Sequence, residues 1–187
     1  MELGKTLYVT NRKQWRSWLA KNHNKEKEIW LIYYRKSSGK KRIPYNDAVE
    51  EALCYGWIDS IMKGIDKERF AQRFTPRRPN SVLSEPNKER IHRLIEQKKM
   101  TSKGLIAVKH VFDNSSRNSK CLIKTDILQS LKEYKETWKN FQKFPETYKR
   151  IRIGWIERVR TRPELFKKRL KYFLKMTAKN KKYGMMQ

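Results

Sequence analysis

The chain has 187 residues and sets Lys+Arg 46 against Asp+Glu 19, a formal net charge of +27. Aromatics reach 12%, with six Trp and nine Tyr, which excludes a wholly disordered chain because so many large rings need a core. No apolar run approaches the roughly 18 residues of a membrane span.

Met1–Thr10 lacks the apolar stretch of a secretory signal, so a cytoplasmic protein is expected. Cys54 and Cys121 are too few for a disulfide framework or a four-ligand zinc site, and free thiols are expected. The charge makes an anionic ligand, an acidic partner or nucleic acid the physically plausible partner. A bland alternative is a solvated surface that is simply rich in Lys, since the cations are spread along the whole chain.

Taken in chain order, Asn11 followed by Gln14 reads as a helix cap, with Trp15, Trp18 and Leu19 forming an apolar stripe behind it. Ile29-Trp30-Leu31-Ile32-Tyr33-Tyr34 is a β-branched and aromatic run that reads as a buried strand, ended by Ser37-Ser38-Gly39. Pro44 and Asn46 open a short helix through Ala48, Val49, Ala52 and Leu53, which Gly56 can close. Two strands follow, around Ser60–Gly64 and Arg69–Thr75, with Asp66-Lys67-Glu68 turning between them. Ser84 caps a helix with Pro86 in its first turn and Ile91, Leu94 and Ile95 on one face, and Thr101 begins another through Leu105, Ile106 and Val108.

The polar run Asp113–Ser119 has no periodicity and reads as a linker. Beyond it, Ile127, Leu131, Tyr134, Trp138 and Phe141 predict one amphipathic helix, with Asp126 and Gln129 at its cap. Pro145 opens a second carrying Tyr148, Ile151, Trp155 and Val159. Thr161 with Glu164 forms a capping box for a third, with Phe166, Leu170 and Phe173 inside. Residues 151–187 are the most basic part, at +10. The expected fold class is α+β: an α+β domain at 1–112 built on a small mixed or antiparallel sheet, a linker at 113–120, and a helical region at 121–187 packing on the first domain.

No G-x-S-x-G, H-E-x-x-H, P-loop or G-x-G-x-x-G motif is present, and His23, His92 and His110 lie far apart, so no metal, cofactor or triad chemistry is expected. Two segments are dense in chemistry. In Glu51–Ser60 a helix gives way to a strand at Gly56, a junction that can expose Cys54, Trp57 and Asp59 in a cleft. The alternative makes Cys54 and Trp57 core residues and Asp59 a local turn acceptor. In Arg69–Pro79, period two puts Phe70 and Phe74 on one face of a strand and Arg69 and Arg73 on the other, with Arg77 and Arg78 extending the charge into a Pro-flanked loop. Guanidinium groups suit bidentate contact with phosphate or carboxylate. A charged edge strand and internal ion pairs with Glu51 or Asp59 are the competing readings.

These two segments, Glu51–Ser60 and then Gln72–Pro79 with Ser81, Ser84 and Asn87, resemble the YdeI/OmpD-associated family, also called bacteriocin-protection proteins. Tyr148–Glu157 and Lys175–Gly184 are similar to its C-terminal signature, and Leu83 stands where that pattern usually has Trp. The resemblance implies a bacterial family tied to porin association or to protection against bacteriocins and cationic antimicrobial peptides, without a settled mechanism or cofactor. The candidate ligand-binding set is Cys54, Trp57, Asp59, Arg69, Arg73, Arg77 and Arg78, with Asn87 added from the family motif. Three functions are expected to compete: binding of an anionic ligand or acidic partner protein, non-specific nucleic-acid binding, and an enzyme using Cys54 or Asp59.

Overall fold

The computed structural model describes residues 3–112 and 121–184. It divides into two compact units, Met1–Leu83 with Arg90–Ser115, and Ser84–Glu89 with Ser116–Gln187. The predicted linker at 113–120 lies outside the described residues. The chain is α+β, with eight α-helices and one four-stranded mixed sheet among those residues.

The first unit runs β1 (Thr6–Tyr8), α1 (Arg12–Asn22), β2 (Ile29–Tyr34), α2 (Tyr45–Cys54), β3 (Trp57–Gly64), β4 (Arg69–Pro76), α3 (Glu85–Glu96) and α4 (Ser102–Phe112). The first residues of α3 group with the second unit. The sheet order is β1-β2-β4-β3, with β1 parallel to β2 and both other pairings antiparallel. Because side chains alternate along a strand, Ile29, Leu31 and Tyr33 share a face with Phe70, Gln72 and Phe74, while Trp30, Ile32 and Tyr34 pair with Arg73, Ala71 and Arg69 on the other. The first face and the apolar stripes of the helices form a single core: Trp15 and Leu19 of α1, Ala48 to Cys54 of α2, Ile91 and Leu94 of α3, and Val108 of α4. The predicted amphipathic strand therefore holds, and β3 begins at Trp57, earlier than its predicted start at Ser60.

Local signals explain the helix ends. Asn11 Oδ1 accepts from Gln14 N at 3.0 Å while Gln14 Oε1 accepts from Thr10 N at 2.8 Å, a reciprocal cap. Gly56, at φ +73°, turns the chain out of α2, a conformation that a Cβ would strain. Gly104 has a packing reason: a Cβ there would lie 2.2 Å from Cys54 O, so α4 meets the end of α2 backbone to backbone. Thr101 seals the same spot, its Oγ1 donating to Cys54 O at 2.6 Å.

The contact between α1 and α2 is ionic. Glu51, 2% exposed, takes Arg12 Nε at 2.7 Å and Arg16 Nη1 at 2.6 Å, and Glu50 pairs with Arg12 and Arg93. Burial alone would push the Glu50 carboxyl up, but the two guanidinium groups outweigh it and hold its pKa below the ordinary value.

The second unit contains α5 (Thr125–Lys132), α6 (Lys135–Lys143), α7 (Glu146–Glu157) and α8 (Pro163–Ala178). Ile127, Leu131, Phe141, Phe144, Tyr148, Ile153, Ile156 and Phe173 form its core. Two expectations are corrected. The single helix expected from Ile127 to Phe141 is broken at Tyr134, which is extended at φ −116° and 60% exposed. The break turns Leu131 and Phe141 into one core although they come from different helices. The expected caps also fail: Lys124 and Arg162 occupy the cap positions without side-chain bonds, Asp126 pairs with Arg160, and Pro163 supplies the start of α8. Arg152 is buried, with its guanidinium over the rings of Tyr148 and Tyr183 at 5.6 and 4.8 Å. Among the described residues no helix is long and apolar enough to cross a membrane.

Two tests follow from the first unit. Replacing Glu51 by Ala takes the carboxylate from Arg16 and leaves Arg12 with Glu50, both guanidinium groups being half-exposed. The change is expected to cost about 1–3 kcal/mol, read as a lower urea midpoint at unchanged slope; a loss under about 0.5 kcal/mol would show the network to be dispensable. The depressed Glu50 pKa contributes stability that is complete above the ordinary carboxyl value of 4.5 and is lost as pH falls through the folded-state value. The melting temperature should accordingly fall on acidification, and less steeply in Glu50→Gln, when the two are scanned in parallel by calorimetry.

Candidate functional site

A hollow of about 490 Å³ opens on the face of the sheet opposite the core. Lys27, ahead of β2, contributes one cation, and Arg73, Arg77 and Arg78 of β4 and its following loop contribute three more. Ser60, Thr75 and Ser81 supply hydroxyls, and Ile58, Pro76 and Val82 an apolar wall. Among the described residues no carboxylate lines it. The β3–β4 register explains the lining: Ile58 pairs with Thr75 on the outer face while Trp57 and Asp59 alternate to the inner one.

The four cations are held differently. Arg73 is neutralised by Glu28, with Arg73 Nε donating to Glu28 Oε2 at 2.8 Å and Trp30 Nε1 to Glu28 Oε1 at 3.1 Å. Arg73 accordingly holds the Glu28 carboxyl below its usual value. Arg77 is half-buried and has no carboxylate within 4 Å among the described residues. Its Nη2 donates to Ser81 O at 2.9 Å and Ser81 Oγ at 2.8 Å, which ties the loop to the guanidinium. Its Nε is buried with no hydrogen-bond partner, and burial lowers its pKa from the ordinary arginine value. His110 Nε2 of α4 donates to Ser81 O at 3.1 Å, a second anchor on the same loop. Arg78 and Lys27 are exposed.

The eight predicted site residues separate accordingly. Arg73, Arg77 and Arg78 line the hollow. Arg69, on the same strand face, is paired with Asp66 at 2.7 Å and lines a different, shallower depression with Tyr34, Lys40 and Asp66 to Glu68. Cys54 is fully buried in the core, and burial pushes its thiol up to about 11. Trp57 is 1% exposed, its Nε1 donating to His23 O at 3.1 Å. Asp59 accepts from Tyr45 Oη at 2.7 Å on the inner side of the sheet. The junction therefore does not join the basic strand through Cys54, Trp57 and Asp59; it does so through Ile58 and Ser60, the alternating residues between and beyond them. Asn87 lies in the first turn of α3, in the residues that group with the second unit.

Lys27, Ile58, Ser60 and Val82 escaped the sequence reading, and only the strand register and the turn of the 77–83 loop bring them together. Among the described residues no group of three or more His, Cys, Asp and Glu side chains is placed to hold a metal ion.

Comparison with known families divides the chain along these lines. Residues 7–107, more than half of it, match the family model described as Domain of unknown function (DUF8412). Residues 122–180 match the model described as Bacteriocin-protection, YdeI or OmpD-Associated. The Glu51–Ser60 and Gln72–Pro79 segments, and with them the whole hollow, fall inside the first, whereas Tyr148–Glu157 falls inside the second. No curated protein and no solved structure matches the chain. The chain thus belongs to the DUF8412 domain family, and its residues 122–180 are similar to the bacteriocin-protection, YdeI or OmpD-associated family.

Proposed function

We propose that the protein works by binding rather than by catalysis, and that it takes up a small oxyanion in the hollow between Lys27 and Val82. The observation that carries this reading is Arg77: a half-buried guanidinium without a carboxylate partner, in a lining with four cations and no carboxylate among the described residues. A cation partly withdrawn from water and left without a counter-charge is unfavourable by itself and favourable once an anion pairs with it. The high thiol pKa of Cys54, about 11, weighs against its use as a nucleophile at neutral pH.

The family description of the second domain links it to bacteriocin protection. A chain of net charge +27 repels cationic peptides at long range, so a protective role is better served by a bound anion or acidic partner than by direct capture of such peptides.

The exposed Arg78 and Lys27 can be changed without touching the loop anchors. In Arg78→Gln the affinity for inorganic sulfate, followed by titration calorimetry at constant ionic strength, is expected to fall about tenfold, the value of one charge-assisted hydrogen bond. Equal affinity in wild type and variant would remove the hollow as the binding site.

A second reading is favoured by α8, where the exposed Lys168, Lys171 and Lys175, with Lys179 at the C-cap, recur at helical spacing and form a basic stripe. Such a stripe suits a phosphodiester backbone. Contact with about six phosphates would give a log–log salt slope near −5 on duplex DNA. A flat response to salt, or no binding at physiological ionic strength, eliminates it.

A further inference from the structure

The geometry points to a compact phosphate monoester with a non-aromatic organic part as the ligand of the hollow, an assignment that rests on the anion-binding reading above. Three features select it. The first is charge: after Glu28 neutralises Arg73, Lys27, Arg77 and Arg78 remain with no carboxylate among the described lining residues, which suits a dianion better than a monoanion.

The second is donor arrangement. Ser60 comes from β3, Arg73 and Thr75 from β4, Arg77 and Ser81 from the following loop, and Lys27 from ahead of β2, so the donors surround the space instead of forming one planar fork. A planar carboxylate is satisfied by a single guanidinium fork. Terminal oxygens arranged as a tetrahedron use donors arriving from several sides, and the hydroxyls add neutral donors to the cations.

The third is size and wall chemistry. About 490 Å³ lies within the range of small-molecule sites and exceeds what a lone inorganic ion occupies. The rest of the ligand meets Ile58, Pro76 and Val82. Among the described residues no aromatic ring lines the hollow, so those residues offer no stacking platform for a nucleobase.

The test compares glycerol 3-phosphate, inorganic phosphate, malonate, methyl sulfate and adenosine 5′-monophosphate by titration calorimetry on the full chain at fixed ionic strength, in wild type and in Arg78→Gln. Glycerol 3-phosphate is expected to bind about tenfold tighter than malonate, a dianion of planar carboxylates, and tighter than inorganic phosphate. Its affinity should rise about tenfold between pH 5 and pH 7, following the dianion fraction of a group whose second pKa lies near 6. Methyl sulfate, a monoanion throughout, should give a flat profile. The lining cations are lysine and arginine, which hold their charge over that range, and Glu28, which faces Arg73 and whose carboxyl is held below its ordinary value, stays ionised. His110 of α4 also touches the site loop through Ser81 O. The flat methyl sulfate profile controls for any change in the protein, so the difference between the two profiles reads the ligand's titration.

Malonate or adenosine 5′-monophosphate binding as tightly as glycerol 3-phosphate, or a flat pH profile for the phosphate ester, overturns the ligand class; if Arg78→Gln still weakens binding, the anion site itself stands. Absence of binding by every anion, or binding that Arg78→Gln leaves unchanged, overturns the anion site and the ligand class together.

Discussion

A guanidinium half withdrawn from water, with no carboxylate to neutralise it, is the constraint around which the candidate site is organised. Arg77 is fixed where it is by the loop it holds: its Nη2 donates to Ser81 O and Oγ, and His110 pins the same carbonyl from α4. Those bonds satisfy one end of the guanidinium with neutral acceptors. The loop gains order from the arginine, and the arginine's charge is left without a counter-charge. Elsewhere in the same unit half-buried cations are answered by carboxylates, as in Arg12 and Arg16 against Glu50 and Glu51, or Arg73 against Glu28. Arg77 stands apart from them by lacking such an answer among the described residues.

The sheet makes this possible. Antiparallel alternation along β4 sends Phe70 and Phe74 into the core and Arg69 and Arg73 outward. The helices of the unit contribute their apolar stripes to the inner face, so the outer face is free to carry polar chemistry. Close backbone contact at Gly104 and the turn at Gly56 then set where β3 starts, and with it which of its residues face the hollow.

Much of this was legible in the sequence because it is periodic and local. The alternation in Arg69–Thr75, the Asn11 cap, the β2 run and the helix ended by Gly56 depend on near neighbours, and the structure reproduces them. Of the site, Arg73, Arg77 and Arg78 were legible from the same alternation and the Pro-flanked loop. Cys54, Trp57 and Asp59 drew attention as a dense junction, but composition does not say which face a junction residue takes; the pairing of Ile58 with Thr75 does, and it turns those three inward. The Arg12–Glu50 and Arg73–Glu28 pairs join residues 38 and 45 positions apart, beyond the reach of any local pattern. The break at Tyr134 was hidden for a related reason: no Gly or Pro marks it, and the spacing from Ile127 to Phe141 suits one helix as well as two.

The most direct measurement is nuclear magnetic resonance of the arginine Nε–H groups during titration with a phosphate ester. The account requires the Arg77 Nε–H signal to shift saturably, with Arg78 moving in step and the Asp66-paired Arg69 staying still. A titration in which Arg77 does not respond, or in which every arginine drifts alike with added salt, would contradict it.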